Sequence, residues 1–133
     1  MKYLVDSDSI IDATIGVSAA VTVLDRLSMD GLAVSVVAVG ELYEGVHGTS
    51  DPTAEMASLR RFLESYVIFD TTEPIAEVFS RIRAQLRRQG NLIQGLDLLI
   101  AATAIHHDLE LVTRNRRHFE RVPELKLYDP HHT

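Results

Sequence analysis

Short apolar runs rich in β-branched residues alternate along the chain with longer segments in which apolar residues recur at helical spacing. The short runs predict buried strands, and the longer segments predict amphipathic helices. Strands are predicted at residues 2–6, 33–36, 67–69 and 109–113, with an edge strand at 126–128. Helices are predicted at residues 7–12, 17–29, around Glu41, from Asp51-Pro52 onward, at 73–89 and at 96–108. Strands separated by helices predict an α/β fold with a mainly parallel central sheet flanked by helices.

The chain length agrees with a single domain over residues 1–133. A chain of 133 residues can bury one hydrophobic core without the support of disulfides or structural metal ions. The sequence contains no internal repeat or low-complexity linker. The absence of cysteine excludes disulfides and thiolate metal sites. No apolar run approaches the roughly 18 residues of a membrane span, and an acid interrupts the amino terminus before a signal peptide could form. We therefore expect a cytoplasmic protein without membrane contact.

Three carboxylates lie far apart in sequence, each near a junction between predicted elements. Asp6 closes the first strand, Glu41 follows the apolar run 32–39, and Asp97 opens the apolar run 98–102. In an open α/β sheet, ligands bind outside the carboxyl ends of the strands, where such acids can converge. Converging carboxylates repel one another unless a cation neutralises them, and Mg²⁺ or Mn²⁺ prefers oxygen ligands. The three acids are thus candidate metal ligands.

Each acid also has a simpler interpretation when it is considered alone. Asp6 could be a helix cap, Glu41 a solvated surface residue, and Asp97 a first-turn acid that complements the helix dipole. The neighbouring Asp8 adds a second carboxylate to the turn after the first strand and favours a functional cluster. The coincidence of all three acids with element junctions favours a site over three independent structural roles.

Basic and neutral polar residues follow the last main strand. Arg114 and Arg116 lie just after it, together with Thr113 and Asn115, at the sheet edge where Asp6 is expected. Guanidinium groups there could hold a polyanion, while an asparagine could ligate a metal or orient a water. A second group of arginines, including Arg87, lies on the predicted helix 73–89, where a solvated charged face is the ordinary explanation. The net charge of −6 argues against bulk attraction to nucleic acid but not against a local basic surface.

The histidines offer no metal-binding spacing, because His106 and His107 are adjacent and point about 100° apart on a helix. All six are interpreted as structural or surface residues, with His118 the only one near the proposed site. The sequence also lacks a glycine-rich phosphate loop, since the segment 45–48 contains no lysine.

Segments 4–12, 39–45, 97–104 and 111–122, which carry Asp6, Glu41, Asp97 and Asn115, together resemble a PIN-domain ribonuclease of the VapC toxin family. The resemblance covers nearly the whole chain. It implies a PIN fold, a Mg²⁺- or Mn²⁺-dependent endoribonuclease, and a toxin held inactive by a cognate antitoxin. It also implies a homodimer and an RNA substrate.

Carried over by position, the resemblance makes Asp6, Glu41 and Asp97 the first, second and third acids of the family. Asn115 takes the fourth catalytic place, and accessory roles fall to Asp8, Thr113, Arg114 and Arg116. The chain departs from the pattern at two places. His118 stands where many relatives have another acid, and Gln94-Gly95 replaces a common Gly-Asp.

Two other functions remain open at this point. The same acids would serve an RNA-processing, DNA-directed or other metal-dependent enzyme outside a toxin system. The two departures also fit a PIN-fold binding domain with weakened catalysis. The exposed apolar side of the early helices, including Val17, Val21 and Leu24, is a possible docking groove for an antitoxin, or ordinary core.

Overall fold

The computed structural model describes residues 1–131 of the chain. Its strands are β1 (Tyr3–Val5), β2 (Leu32–Ser35), β3 (Val67–Phe69), β4 (Glu110–Val112) and β5 (Lys126–Leu127). Its α-helices are α1 (Ser7–Thr14), α2 (Ser18–Leu27), α3 (Val36–His47), α4 (Pro52–Leu63), α5 (Glu73–Arg88), α6 (Gly95–His106) and α7 (Arg116–Phe119). A 3₁₀ turn at Ser28–Asp30 follows α2. Within residues 1–131, every helix is too short or too polar to cross a bilayer.

The five strands form one sheet in the order β3-β2-β1-β4-β5, and all neighbouring strands are parallel. Leu4 and Val5 are adjacent in β1, so they point to opposite faces of the sheet, and both are fully buried. All four residues of β2 are buried as well. Both faces of the sheet are therefore covered, and the predicted α/β fold with a parallel central sheet is confirmed.

One difference from the predicted elements lies where β2 meets α3. The strand was predicted at 33–36, but it ends at Ser35, and the helix begins at Val36. Ser35 Oγ accepts a hydrogen bond from the backbone N–H of Val37 at 3.1 Å and caps the helix. Glu41 lies in the second turn of α3, so the helix predicted around Glu41 is confirmed.

Smaller differences concern the ends of other elements. The 109–113 strand is shorter than predicted and comprises Glu110–Val112, and the short helix α7 after it was not predicted. Thr113 and Asn115 therefore lie in the connection between β4 and α7. The predicted 17–29 helix ends at Leu27, because the chain tightens into the 3₁₀ turn.

The helix α6 runs through the core. It is apolar on nearly all sides, and Leu98, Ile100, Ala101 and Ala104 are fully buried. A helix of this kind is held by packing on several sides rather than by one amphipathic face. Asp97, in its first turn, is therefore placed rigidly at one end of the buried helix.

Candidate active site

The pairing of β1 with β4 creates the centre of the site. Both strands end at the same edge of the sheet, and the Asp6 backbone N–H continues the ladder by donating to the Val112 carbonyl at 2.9 Å. Asp6 and Thr113, the first residues beyond the two strands, thus lie side by side. Since the carboxyl ends of parallel strands meet at one edge, these two residues lie at the sheet edge where the sequence predicted them.

Asp6 is 5% exposed, and its carboxylate is held at both oxygens. Oδ1 accepts the backbone N–H of Ser7 at 2.8 Å, and Oδ2 accepts the Thr113 hydroxyl at 2.8 Å. Thr113 Oγ1 in turn accepts the backbone N–H of Asn115 at 3.1 Å. This chain of hydrogen bonds fixes the direction in which the Asp6 oxygens point.

Asp8 and Asp12 lie four residues apart on α1 and bind the same neighbour. The backbone N–H of Arg114 donates to Asp8 at 3.2 and 3.3 Å, and the Thr113 hydroxyl lies 3.3 Å from Asp8 Oδ2. The Arg114 guanidinium binds both oxygens of Asp12, at 3.0 and 3.1 Å. Together these contacts join α1 to the segment after β4.

Glu41 and Asp97 approach from α3 and α6, and each has one partner. Ser7 donates its hydroxyl proton to Glu41 Oε1 at 3.2 Å. His118 Nε2 lies 3.1 Å from Asp97 Oδ2. Both acids are half-buried. The structure therefore brings all three predicted acids to one end of the sheet, although two of them contact a neighbouring side chain and not each other.

The acids are close enough to raise one another's pKa. Burial raises the pKa of Asp6 to about 7, and the charges of Asp8 and Asp97 add to the rise, against the hydrogen bonds from Thr113 and Ser7. Burial likewise raises the pKa of Glu41, and Asp97 and Asp8 again contribute. A group of carboxylates that disfavour one another's charge is a place where a cation would bind favourably.

The acids are near one another but do not converge on a single point. Among the described residues, no three histidine or acidic side chains are spaced as ligands of one metal ion. The donor set consists mainly of carboxylate oxygens, which suit hard divalent cations.

The remaining predicted site residues contribute in different ways. Asn115 is exposed and joins the cluster through its backbone. Arg116 points elsewhere, because its guanidinium donates to the backbone carbonyl of Tyr128, just beyond β5. Of the two arginines expected to face a polyanion, only Arg114 lies beside the acids, and its guanidinium is already paired with Asp12.

His118 was expected near the site, but the sequence did not predict its contact with Asp97, nor the contacts that Ser7 makes with Glu41 and Asp12 with Arg114. A signal existed for Asp12, because residues four apart lie on the same face of a helix and Asp8 was already a candidate. His118 and Ser7 carry no comparable spacing signal, since their contacts with Asp97 and Glu41 depend on the packing of separate helices.

A groove lies between α1, α3 and α4. Its volume is about 640 Å³, and its apolar lining includes Ile11, Ile15, Leu42, Val46 and Phe62. Ile15 is 72% exposed, which is unusual for a large apolar side chain. The expected docking face on α2 is only partly present: Val17 and Val21 are exposed, but Leu24 belongs to the core.

Residues 3–125 match the model of the PIN domain family. Ribonuclease VapC10 of Mycobacterium tuberculosis is 41% identical over 124 residues, with 92% of this chain and 90% of the relative covered. Ribonuclease VapC2 of Haemophilus influenzae is 34% identical over 128 residues, with 95% and 96% covered. The solved structure of VapBC2 from Rickettsia felis, bound to a DNA fragment from its promoter, superimposes with a TM-score of 0.88 at 28% identity, with 96% of this chain and 98% of that chain covered. The match of the family model over most of the chain, and the two relatives above 30% identity, establish that this chain belongs to the PIN-domain family and, within it, to the VapC ribonucleases.

Proposed function

We propose that this chain is a metal-dependent endoribonuclease that hydrolyses RNA phosphodiester bonds and serves as the toxin of a toxin–antitoxin pair in the cytoplasm. The observation that carries the proposal is the position of Asp6, buried at the sheet edge with its pKa raised to about 7 beside other carboxylates. Keeping an ionisable group there is costly, and such groups concentrate at functional sites. Membership of the VapC ribonucleases supports the assignment of RNA as substrate.

Asp6, Glu41 and Asp97 would hold Mg²⁺ or Mn²⁺, with Asp8 close enough to add charge. When bound, such an ion supplies Lewis-acid activation of a water nucleophile and neutralises charge on the scissile phosphate. The oxygen-rich donor set fits such an ion.

The chain's own residues position these acids. The Thr113 hydroxyl and the Ser7 backbone N–H fix the two oxygens of Asp6, and the Ser7 hydroxyl holds Glu41. Asn115 is exposed beside them, where its amide can contact substrate or water. Preorganised ligands reduce the reorganisation needed when substrate arrives, which is a main source of rate in sites of this kind.

RNA would reach the acids from the exposed side of the segment after β4. The side chain of Arg114 is 69% exposed, and Arg117 is exposed on α7. Since the whole chain has a net charge of −6, contact with the phosphate backbone must depend on such local positive groups.

The groove between α1, α3 and α4 is the surface that we assign to the antitoxin. An exposed apolar groove rimmed by Arg61 and Glu55 suits a segment with apolar anchors and mixed charge. The similarity to the VapBC2 assembly supports an antitoxin partner. We also infer a homodimer from the family, and light scattering of the purified chain tests that inference.

The decisive experiment is cleavage of total RNA by the purified protein, freed of any partner, in Mg²⁺, in Mn²⁺ and in EDTA. Asp6→Ala and Asp97→Ala should abolish cleavage while the fold is retained, since removal of a clustered acid relieves repulsion. The matched control is Glu77→Gln, an exposed acid on α5, which should cut at the normal rate. Cleavage by Asp6→Ala at the normal rate, or cleavage that persists in EDTA, would overturn the proposal.

A further inference from the structure

The helix α7 places His118 against Asp97. Phe119, the next residue, is 1% exposed and anchors the four-residue helix in the core. The His118 ring packs edge to face against the Phe119 ring, with centroids 5.4 Å apart and an interplanar angle of 80°. His118 Nε2 then lies 3.1 Å from Asp97 Oδ2, and the two side chains are 25% and 21% exposed. The imidazole is thus fixed in place and still open to the site.

The distance between His118 Nε2 and Asp97 Oδ2 agrees with both atoms being ligands of one metal ion. Two ligand atoms at right angles in an octahedral site, each about 2.1 Å from the ion, are about 3.0 Å apart. Asp97 is one of the three acids to which a metal has been assigned above, and His118 Nε2 already contacts its carboxylate. A hydrogen bond between His118 and Asp97 has the same length, and the two possibilities differ in what the ring nitrogen contacts once a metal is present.

The chemistry of a nitrogen ligand differs from that of the surrounding oxygens. Carboxylates suit Mg²⁺, Ca²⁺ and Mn²⁺, whereas imidazole shifts preference toward transition metals. Mg²⁺ is the harder ion and gains least from an imidazole nitrogen, while Mn²⁺ lies between the two classes. A site with three carboxylates and one imidazole should therefore discriminate against Mg²⁺ more than an all-carboxylate site does.

We propose that His118 ligates the metal ion together with Asp97, and that this mixed nitrogen and oxygen site prefers Mn²⁺ to Mg²⁺. The inference rests on the proposed function, because it assumes that Asp6 and Asp97 bind a divalent cation. It assigns His118 a ligand role and makes the metal preference a property of this chain.

The test is pulsed electron paramagnetic resonance of the Mn²⁺-loaded protein, which detects nitrogen bound directly to the ion. The wild-type protein should give the ¹⁴N modulation of a coordinated imidazole, and His118→Ala should lose it. Isothermal titration with Mn²⁺ and with Mg²⁺ should show that His118→Asp lowers the ratio of Mn²⁺ to Mg²⁺ affinity by roughly tenfold, a change of the size expected when groups around a metal are altered. His47→Ala, on the exposed end of α3, is the matched control and should change neither result.

Three results would overturn the inference. The first is a wild-type spectrum without ¹⁴N modulation, which would mean that His118 only orients Asp97 through a hydrogen bond. The second is an unchanged affinity ratio in a folded His118→Asp variant. In both cases the proposed function stands, provided that Asp6→Asn abolishes Mn²⁺ binding. The third is a wild-type protein that binds neither ion, which would overturn the metal assignment of the proposed function as well.

Discussion

The Thr113 hydroxyl donates a hydrogen bond to Asp6 Oδ2 at 2.8 Å, although the two residues are 107 positions apart in the chain. Both are buried, and the parallel pairing of β1 with β4 brings them together. The hydrogen bond favours the charged form of Asp6 and so opposes the effect of burial on its pKa. Thr113 therefore keeps a buried acid partly ionised at neutral pH.

Thr113→Val should raise the pKa of Asp6 further, because valine keeps the shape of threonine but cannot donate a hydrogen bond. The buried carboxylate loses a partner, which should lower the free energy of unfolding at pH 8 by about 1–3 kcal/mol. Carbon-detected NMR titration of the Asp6 carboxyl measures the pKa, and urea unfolding measures the stability. Thr113→Ser keeps the hydroxyl and should leave both nearly unchanged; an Asp6 pKa equal in the valine and serine variants would contradict the role given to Thr113.

Stability without metal should fall as the pH rises from about 4 to about 7. The pKa of Asp6 is raised from 3.8 to about 7 on folding, so between these values the folded state binds a proton that the unfolded state has lost. This proton's contribution to the free energy of unfolding is complete below pH 4 and is lost as the pH rises through the folded-state pKa of about 7. The contribution is on the order of 4 kcal/mol.

Asp6→Asn should remove this pH dependence, since asparagine does not titrate. Urea unfolding in EDTA at pH 5 and pH 8 measures the effect. The variant should be more stable than the wild type at pH 8, with a smaller difference at pH 5. A wild-type protein that is more stable at pH 8 than at pH 5, with a variant that follows the same curve, would show that Asp6 is not the group responsible.

The sequence predicted the strands, because each is a short apolar run, and it placed Asp6 at the end of a strand and Asp97 at the start of a helix. The boundary between β2 and α3 was predicted to within one residue, since the strand was expected at 33–36 and comprises Leu32–Ser35. The run Leu32–Val39 changes from strand to helix without a charged residue, and Ser35, whose hydroxyl caps the helix, is the polar residue at the boundary.

The partners of the acids could not be predicted for a different reason. The contacts of Asp8 and Asp12 with Arg114 span 106 and 102 residues, and they exist because β1 lies next to β4 in the sheet order. Apolar periodicity predicts the elements and their type but does not fix which strands are neighbours. The sequence therefore named Arg114 as a phosphate contact without revealing that its guanidinium is paired with Asp12.

Arg114→Ala should weaken RNA binding while leaving stability almost unchanged. The Arg114–Asp12 pair is largely solvent-exposed on the arginine side, so its contribution to the free energy of unfolding should be below about 1 kcal/mol. Loss of one phosphate contact should reduce the slope of log affinity against log salt by about one. Fluorescence anisotropy with a labelled RNA at several salt concentrations, using the inactive Asp97→Ala background, measures both effects.

Arg87→Ala on α5 serves as the comparison, because it removes an exposed arginine from the other basic cluster. It should leave the salt dependence unchanged. Equal loss of affinity in the two variants would indicate that RNA follows α5 and that the edge after β4 is not the main contact surface.

Ile15→Asp should block antitoxin binding without loss of nuclease activity. Ile15 lines the groove between α1, α3 and α4 and is 72% exposed, so an aspartate there costs the fold little but places a charge where an apolar anchor would be desolvated. Co-expression with the cognate antitoxin should then fail to rescue growth, and the two proteins should not co-purify. Met29→Asp, at an even more exposed apolar residue in the 3₁₀ turn outside the groove, should be rescued as the wild type is. If the antitoxin rescues growth with Ile15→Asp and forms a normal complex with it, the antitoxin binds another surface of the protein.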